Sequence, residues 1–133
     1  MLIVIIFMLQ IKAKIDYGLM IMVELAGHPG EITSLSGLAK TMQVSGVYLI
    51  QIARSLARAG LIKSKEGAGG GYILTKPADE ISLLEIMEAL DGDGGDPKFH
   101  CHLQGAWGAV VDDIKKVLEK KNLSSLLRMT GKL

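Results

Sequence analysis

The segment Ala59 to Thr75, A-G-L-I-K-S-K-E-G-A-G-G-G-Y-I-L-T, constrains the fold of this chain more than any other, because it joins a helix stop to a glycine-tipped reversal. Gly60 follows residues of helical periodicity and supplies the left-handed conformation that ends a helix. Leu61 to Lys65 reads as a strand alternating apolar and polar residues, and Tyr72 to Leu74 as a second one. Gly67 to Gly71 must turn the chain between them, and four of these five residues are glycine. Glycine permits positive φ and carries no side chain to hold another backbone away. Three uses of such a loop compete: a phosphate cradle, a plain tight hairpin, or a wing laid along nucleic acid. The cradle is the weakest, because dinucleotide and triphosphate loops open a helix or run into Gly-Lys-Ser/Thr, whereas Tyr72 and Ile73 continue as strand.

What precedes the hairpin decides between the other two. Ile11, Ile15, Leu19, Met22, Val23 and Ala26 recur at helical spacing and predict a first helix ending near Gly27 and the His28-Pro29-Gly30 turn. Ile32 reads as a short extended residue, and Thr33 or Ser34 as the cap of a second helix from about Leu35 to Met42, with Leu35, Leu38, Ala39 and Met42 inward. Gln43 and Val44 make a turn. Ser45 caps a third helix to about Ala59, whose buried stripe is Leu49, Ile52, Ala53 and Leu56. Two short helices joined by a tight turn, the second running into a basic hairpin, make a winged helix-turn-helix.

Charge follows the same division. The chain has 133 residues, 49% of them hydrophobic, and a net charge of only +1, enough for one domain with a real core but silent about partners. The distribution is informative. Lys40, Arg54, Arg58, Lys63, Lys65 and Lys76 face Glu66 alone between residues 40 and 76, whereas nine acids face Lys98 alone between 77 and 113. A basic segment coinciding with a candidate wing is the footprint of a polyanion-binding surface, although a solvated face leaves the same pattern. One cysteine excludes an internal disulfide framework and fits the cytoplasm. Met1 to Leu9 is wholly apolar, too short to span a bilayer and without a cleavage site, so neither export nor a membrane partner is expected. Residues 1–8 read as an apolar N-terminal extension, with Met8 an alternative start.

Beyond Pro77, Ser82-Leu83-Leu84-Glu85 has capping-box spacing and opens a helix to about Leu90. Asp91 to Pro97, with three glycines and three aspartates, is a loop. A long helix from near Leu103 carries one apolar stripe, Trp107, Val110, Val111, Ile114, Val117 and Leu118, which must be covered by the domain or by a second copy; the small core favours a second copy. Asn122 to Leu127 reads as a final short helix. The expected fold is therefore mainly α with a small β-hairpin wing, a winged helix-turn-helix domain over 9–90, a loop over 91–102, and a dimerisation helix with C-terminal tail over 103–133.

The strings D-Y-G-L at 16–19, L-A-K-T-M-Q-V-S-G-V-Y-L at 38–49, S-L-A-R-A-G-L-I-K-S-K-E-G-A-G-G-G-Y-I-L at 55–74 and I-S-L-L-E-I-M-E-A-L at 81–90 resemble the Rrf2 family of bacterial transcription regulators, of the IscR/NsrR type. The resemblance covers residues 9 to about 127. It implies a homodimer with crossed C-terminal helices, binding double-stranded DNA at a palindromic operator, most often as a repressor. It places Ser45, Val47, Tyr48, Ile50 and Gln51 at the DNA, with Ser45 and Tyr48 donating to phosphate and Gln51 pairing with adenine. Two positions depart. Several relatives carry glutamate where this chain has Ile50, which leaves Ile50 either to a thymine methyl or to packing against the wing. Relatives commonly carry a minor-groove arginine where this chain has Glu66, so Lys63 or Lys65 must supply the charge while Gly69, Gly70 and Gly71 bring backbone near the sugar-phosphate rail.

Many relatives hold an iron-sulfur cluster on three cysteines, since thiolates are the soft ligands such clusters need. This chain has only Cys101, in C-H-L-Q-G-A-W, so a three-cysteine cluster is excluded and no cofactor or metal is expected. Ligation by one cysteine with histidine and carboxylates across a dimer stays open, as do a redox-sensing thiol and a small-molecule or protein co-effector. The alternative to a DNA-binding regulator is a winged-helix protein-interaction module, or a redox or metal sensor, that has lost strong DNA readout. Catalysis is not expected: His28 lies in a turn, His100 and His102 flank the cysteine, and Asp112 and Asp113 lie on the long helix, so no nucleophile with a base is assembled.

Overall fold

A computed structural model describes residues 13–91 and 104–131. The N-terminal extension, Ile11, the 92–103 segment with Cys101, and the side chain of Trp107 fall outside the described residues. Among the described residues, six α-helices and one hairpin follow in order: α1 (Ala13–Ala26), α2 (Ser36–Met42), α3 (Gly46–Arg58), β1 (Ile62–Lys65), β2 (Gly71–Leu74), a 3-10 turn (Ala78–Glu80), α4 (Leu83–Asp91), α5 (Gln104–Lys120) and α6 (Leu123–Met129).

Packing begins from α1. Ile15, Met22, Val23 and Ala26 are buried as their spacing predicts, but so are Ile21 and Leu25, because α1 is covered by α3, α4 and α6 at once. The α3 stripe of Leu49, Ile52, Ala53 and Leu56 lies wholly inside. Burying side chains of this size contributes about 1.5–3 kcal/mol each, which fixes α3 against α1 and β1. α2 starts one residue late: Leu35 takes the N-cap position with no side-chain cap bond, while Ser34 Oγ accepts from the Ser36 N–H at 3.3 Å. Leu35 is buried there, so packing outweighs the lost cap.

The helix ends are chemically specified. Ser45 Oγ accepts the Tyr48 N–H at 3.2 Å, the expected cap of α3. Ser82 and Glu85 exchange side-chain-to-backbone bonds at 3.1 and 3.2 Å, completing the capping box of α4. Gly60 adopts φ 79° after α3. Between α2 and α3 the left-handed residue is Gln43, at φ 56°, whose N–H bonds the Lys40 carbonyl.

In the hairpin, Ile62 pairs with Leu74, Lys63 with Ile73, Ser64 with Tyr72 and Lys65 with Gly71. The expected alternation along Leu61 to Lys65 is not observed: Leu61 and Ile62 are both buried and the next three residues exposed, because both apolar residues sit at the α3 junction before the strands leave the core. Thr75 closes the base, donating its hydroxyl to the Gly60 carbonyl at 2.6 Å and its N–H to Leu61 at 3.1 Å.

The C-terminal segment returns to the head. Leu83 N–H bonds the Lys121 carbonyl at 2.9 Å and Leu123 N–H bonds Ile81 at 2.8 Å, clipping the end of α5 to the start of α4. Asn122 caps α6, accepting the Ser125 N–H at 2.8 Å, and Leu123 and Leu127 enter the core shared with α1.

Candidate nucleic-acid interface

Three elements border one groove of about 470 Å³. Gly46, Ile50, Arg54 and Ala57 line it from α3, Ser34 to Ser36 from the approach to α2, and Ser64 to Gly67 with Gly70 to Tyr72 from the hairpin. The hairpin is held in place from its base. Thr33 and Tyr72 exchange backbone hydrogen bonds, each 2.9 Å, so Thr33, in the segment leading to α2, adds a third position to the two-stranded sheet.

This bridge explains one glycine. A Cβ on Gly71 would run into the Thr33 backbone, so only glycine lets the segments pair. The backbone that approaches the glycine run is thus partly the protein's own. Gly71 sits within β2 and not at a tip, and Gly70 is packed against the carbonyls of Lys65 and Gly67. The exposed tip is Gly67 to Gly69, where Gly67 and Gly69 take φ 99° and 77° and Gly70 N–H bonds Gly67 at 2.9 Å.

On α3 the expected contact residues share the exposed side. Val47 is 68% exposed, Ile50 39% and Tyr48 36%, and Gln51 is also exposed. Ser45 uses its oxygen to cap the helix and keeps its hydroxyl proton to donate outward. Tyr48 is oriented by an edge-to-face contact with Tyr17 of α1, ring centroids 5.8 Å apart, which limits where its hydroxyl can reach. Ile50 lines the groove together with Tyr72 and Glu66 of the hairpin and stays 39% exposed.

Among the described residues, Glu66 is the one acid that lines this groove. Lys63 and Lys65, two apart on β1, are exposed, and with Arg54 and Arg58 they make no ion pair among the described residues. Lys76 differs: its ammonium lies 3.2 Å from Glu85, which removes it from the basic set. Arg54, counted above only in the basic segment, also lines this groove. It follows Ile50 by four and Gln51 by three, a spacing that puts all three on one helix face, so the signal was present in the sequence.

The apolar seam of α5 lies apart from this groove. Val110, Ile114 and Val117 are 45%, 49% and 57% exposed, Val111 and Leu118 are half-buried, and α5 packs against α4. Among the described residues no group of three His, Cys, Asp or Glu side chains is placed to hold a metal ion, and no helix is long and apolar enough to cross a membrane.

The family model Rrf2, described as an iron-dependent transcriptional regulator, matches residues 11–129. The chain is 37% identical over 127 residues to the HTH-type transcriptional regulator CymR of Bacillus subtilis (strain 168), covering 92% of each. The solved structure of B. subtilis CymR, described as its global cysteine regulator, matches with a TM-score of 0.74 at 36% identity over 91% of this chain and 98% of that one. The structure of T. potens IscR matches with a TM-score of 0.75 at 32% identity, covering 92% and 88%.

Proposed function

Since this chain belongs to the Rrf2 family of DNA-binding transcriptional regulators, we propose that it acts as a homodimer on a palindromic operator in the bacterial cytoplasm, repressing transcription with α3 in the major groove and the hairpin beside it. The observation that carries this reading is the groove shared by α3 and the wing, lined by Arg54 and Lys65 with Glu66 as its one acid, where neither cation makes an ion pair among the described residues. A duplex presents one negative charge per about 1.7 Å of axis, so Lys63 and Lys65 gain by releasing its counterions. Ser45 and Tyr48 donate to phosphate and fix the register, while Gln51 offers the donor and acceptor pair that matches the adenine edge. Two copies joined through the α5 seam present two such surfaces related by a two-fold axis, which is why the operator should be palindromic.

An iron-sulfur cluster held by three thiolates of one chain does not fit a sequence with one cysteine. The signal enters by another route: a thiol response at Cys101, a cluster ligated by Cys101 with histidine and carboxylates across the dimer, or a small-molecule or protein co-effector. Affinity for genomic duplex fragments, measured over a salt series, tests the central reading. A steep fall of log affinity with log salt is expected, and an affinity that does not change with salt would overturn it.

A further inference from the structure

The outer face of α3 carries two aliphatic side chains that its fold does not need. Val47 is 68% exposed and Ile50 39%, while the buried stripe of the same helix is complete without them. Both stand among groups suited to a polar polymer: the Ser45 cap, Gln51 beside Ile50, and Arg54 one turn further on. An aliphatic pair in such company needs an apolar feature to meet. The edges of the four base pairs present hydrogen-bond donors and acceptors in the major groove, with one apolar group among them, the 5-methyl of thymine.

Resting on the DNA-binding reading above, we propose that Val47 and Ile50 are specificity-determining residues that recognise thymine 5-methyl groups on neighbouring base pairs of each half-site. Three residues of helix advance by about 4.5 Å, close to the base-pair rise of about 3.4 Å, so the two side chains reach adjacent steps and not one shared base. Neither side chain can donate or accept a hydrogen bond, so each discriminates by burying the methyl and by leaving the donor of a cytosine or adenine unpaired. Gln51, next to Ile50 in sequence, then supplies the hydrogen-bonded contact on the same face. Recognition by this surface therefore depends on a group that uracil lacks and 5-methylcytosine possesses.

The test uses the full-length protein and an operator obtained by selecting bound genomic fragments. Thymines of each half-site are replaced by uracil, which keeps every Watson–Crick and major-groove polar group and removes only the methyl. Affinity should fall about fourfold for each methyl that is read, and about fifteenfold where two are lost together. In the Val47→Ser, Ile50→Ser double variant the thymine and uracil operators should bind equally, with the salt dependence of the parent retained, since both positions are exposed and neither meets phosphate. Equal binding of the two operators by the parent protein would overturn the proposal while leaving DNA binding intact. Failure to bind any duplex would overturn both this proposal and the reading on which it rests.

Discussion

Helices α3 and α5 both expose aliphatic side chains, yet they do so in different settings. On α3 the exposed Val47 and Ile50 alternate with a serine cap, a glutamine and an arginine, and the opposite stripe is fully buried. On α5 the exposed Val110, Ile114 and Val117 follow one another at spacings of four and three, the spacing that a second helix would cover, and none of the described side chains of the helix is buried. A mixed face suits a wet, polar partner, and an unbroken seam suits a dry one. The change that would break this contrast most sharply is Ile114→Glu. At 49% exposure it should leave the fold's stability within about 0.5 kcal/mol. It should nevertheless give a monomer in analytical ultracentrifugation and lower operator affinity by about 100-fold or more, because the second half-site no longer binds intramolecularly. A dimer of undiminished affinity would show that the seam is covered in some other way.

The second variant separates the two surfaces from the opposite side. Gly71→Val inserts a side chain where the Thr33 backbone passes, so the Thr33–Tyr72 bridge must open and the hairpin must move relative to α3. A stability loss of about 1–3 kcal/mol is expected by thermal or urea unfolding, together with a fall in duplex affinity of about tenfold. The oligomeric state should not change, since α5 takes no part in that bridge. Should DNA affinity survive, the position of the wing is immaterial to binding.

Features written in neighbouring residues were legible in the sequence. The Ser45 cap, the Ser82 and Glu85 box, the Gly60 stop and the four-residue stripe of α3 each depend on contacts within about one helical turn or on a single backbone preference, so spacing alone finds them. Features made by distant segments were not. Nothing near Gly71 announces Thr33, and the glycine run reads as a uniform tip although its last member is a pairing requirement. Leu61 and Ile62 are adjacent and both buried because the junction is enclosed by α3 and the strands, a tertiary effect that overrides strand alternation. Gln43 takes a left-handed conformation usually given to glycine or asparagine, so it carries no signal of its own. The exposed face of α3 is legible in the spacing of its residues, and the same spacing carries Arg54, which lines the groove with Ile50.

The smallest expected effects lie within the α3 and wing surface itself, and they divide it into a part that holds and a part that reads. Lys63→Ala with Lys65→Ala removes two exposed cations that the proposed reading sets against the duplex as charge alone. Binding should weaken by about tenfold and similarly for every duplex, and the salt slope should fall by about two, one for each phosphate contact. Gln51→Ala should leave affinity for unrelated duplexes and the salt slope unchanged. Its cost is confined to the operator, about 1–3 kcal/mol of discrimination at the adenine it pairs with. Fluorescence anisotropy on operator and scrambled duplexes over a salt series measures both quantities at once. If the lysine pair altered discrimination, or Gln51 altered the slope, the wing and α3 would have exchanged the roles assigned to them. The division is physically sharp because a lysine on the hairpin sees the summed field of the backbone, whereas an amide on α3 must align with one base edge within hydrogen-bond geometry.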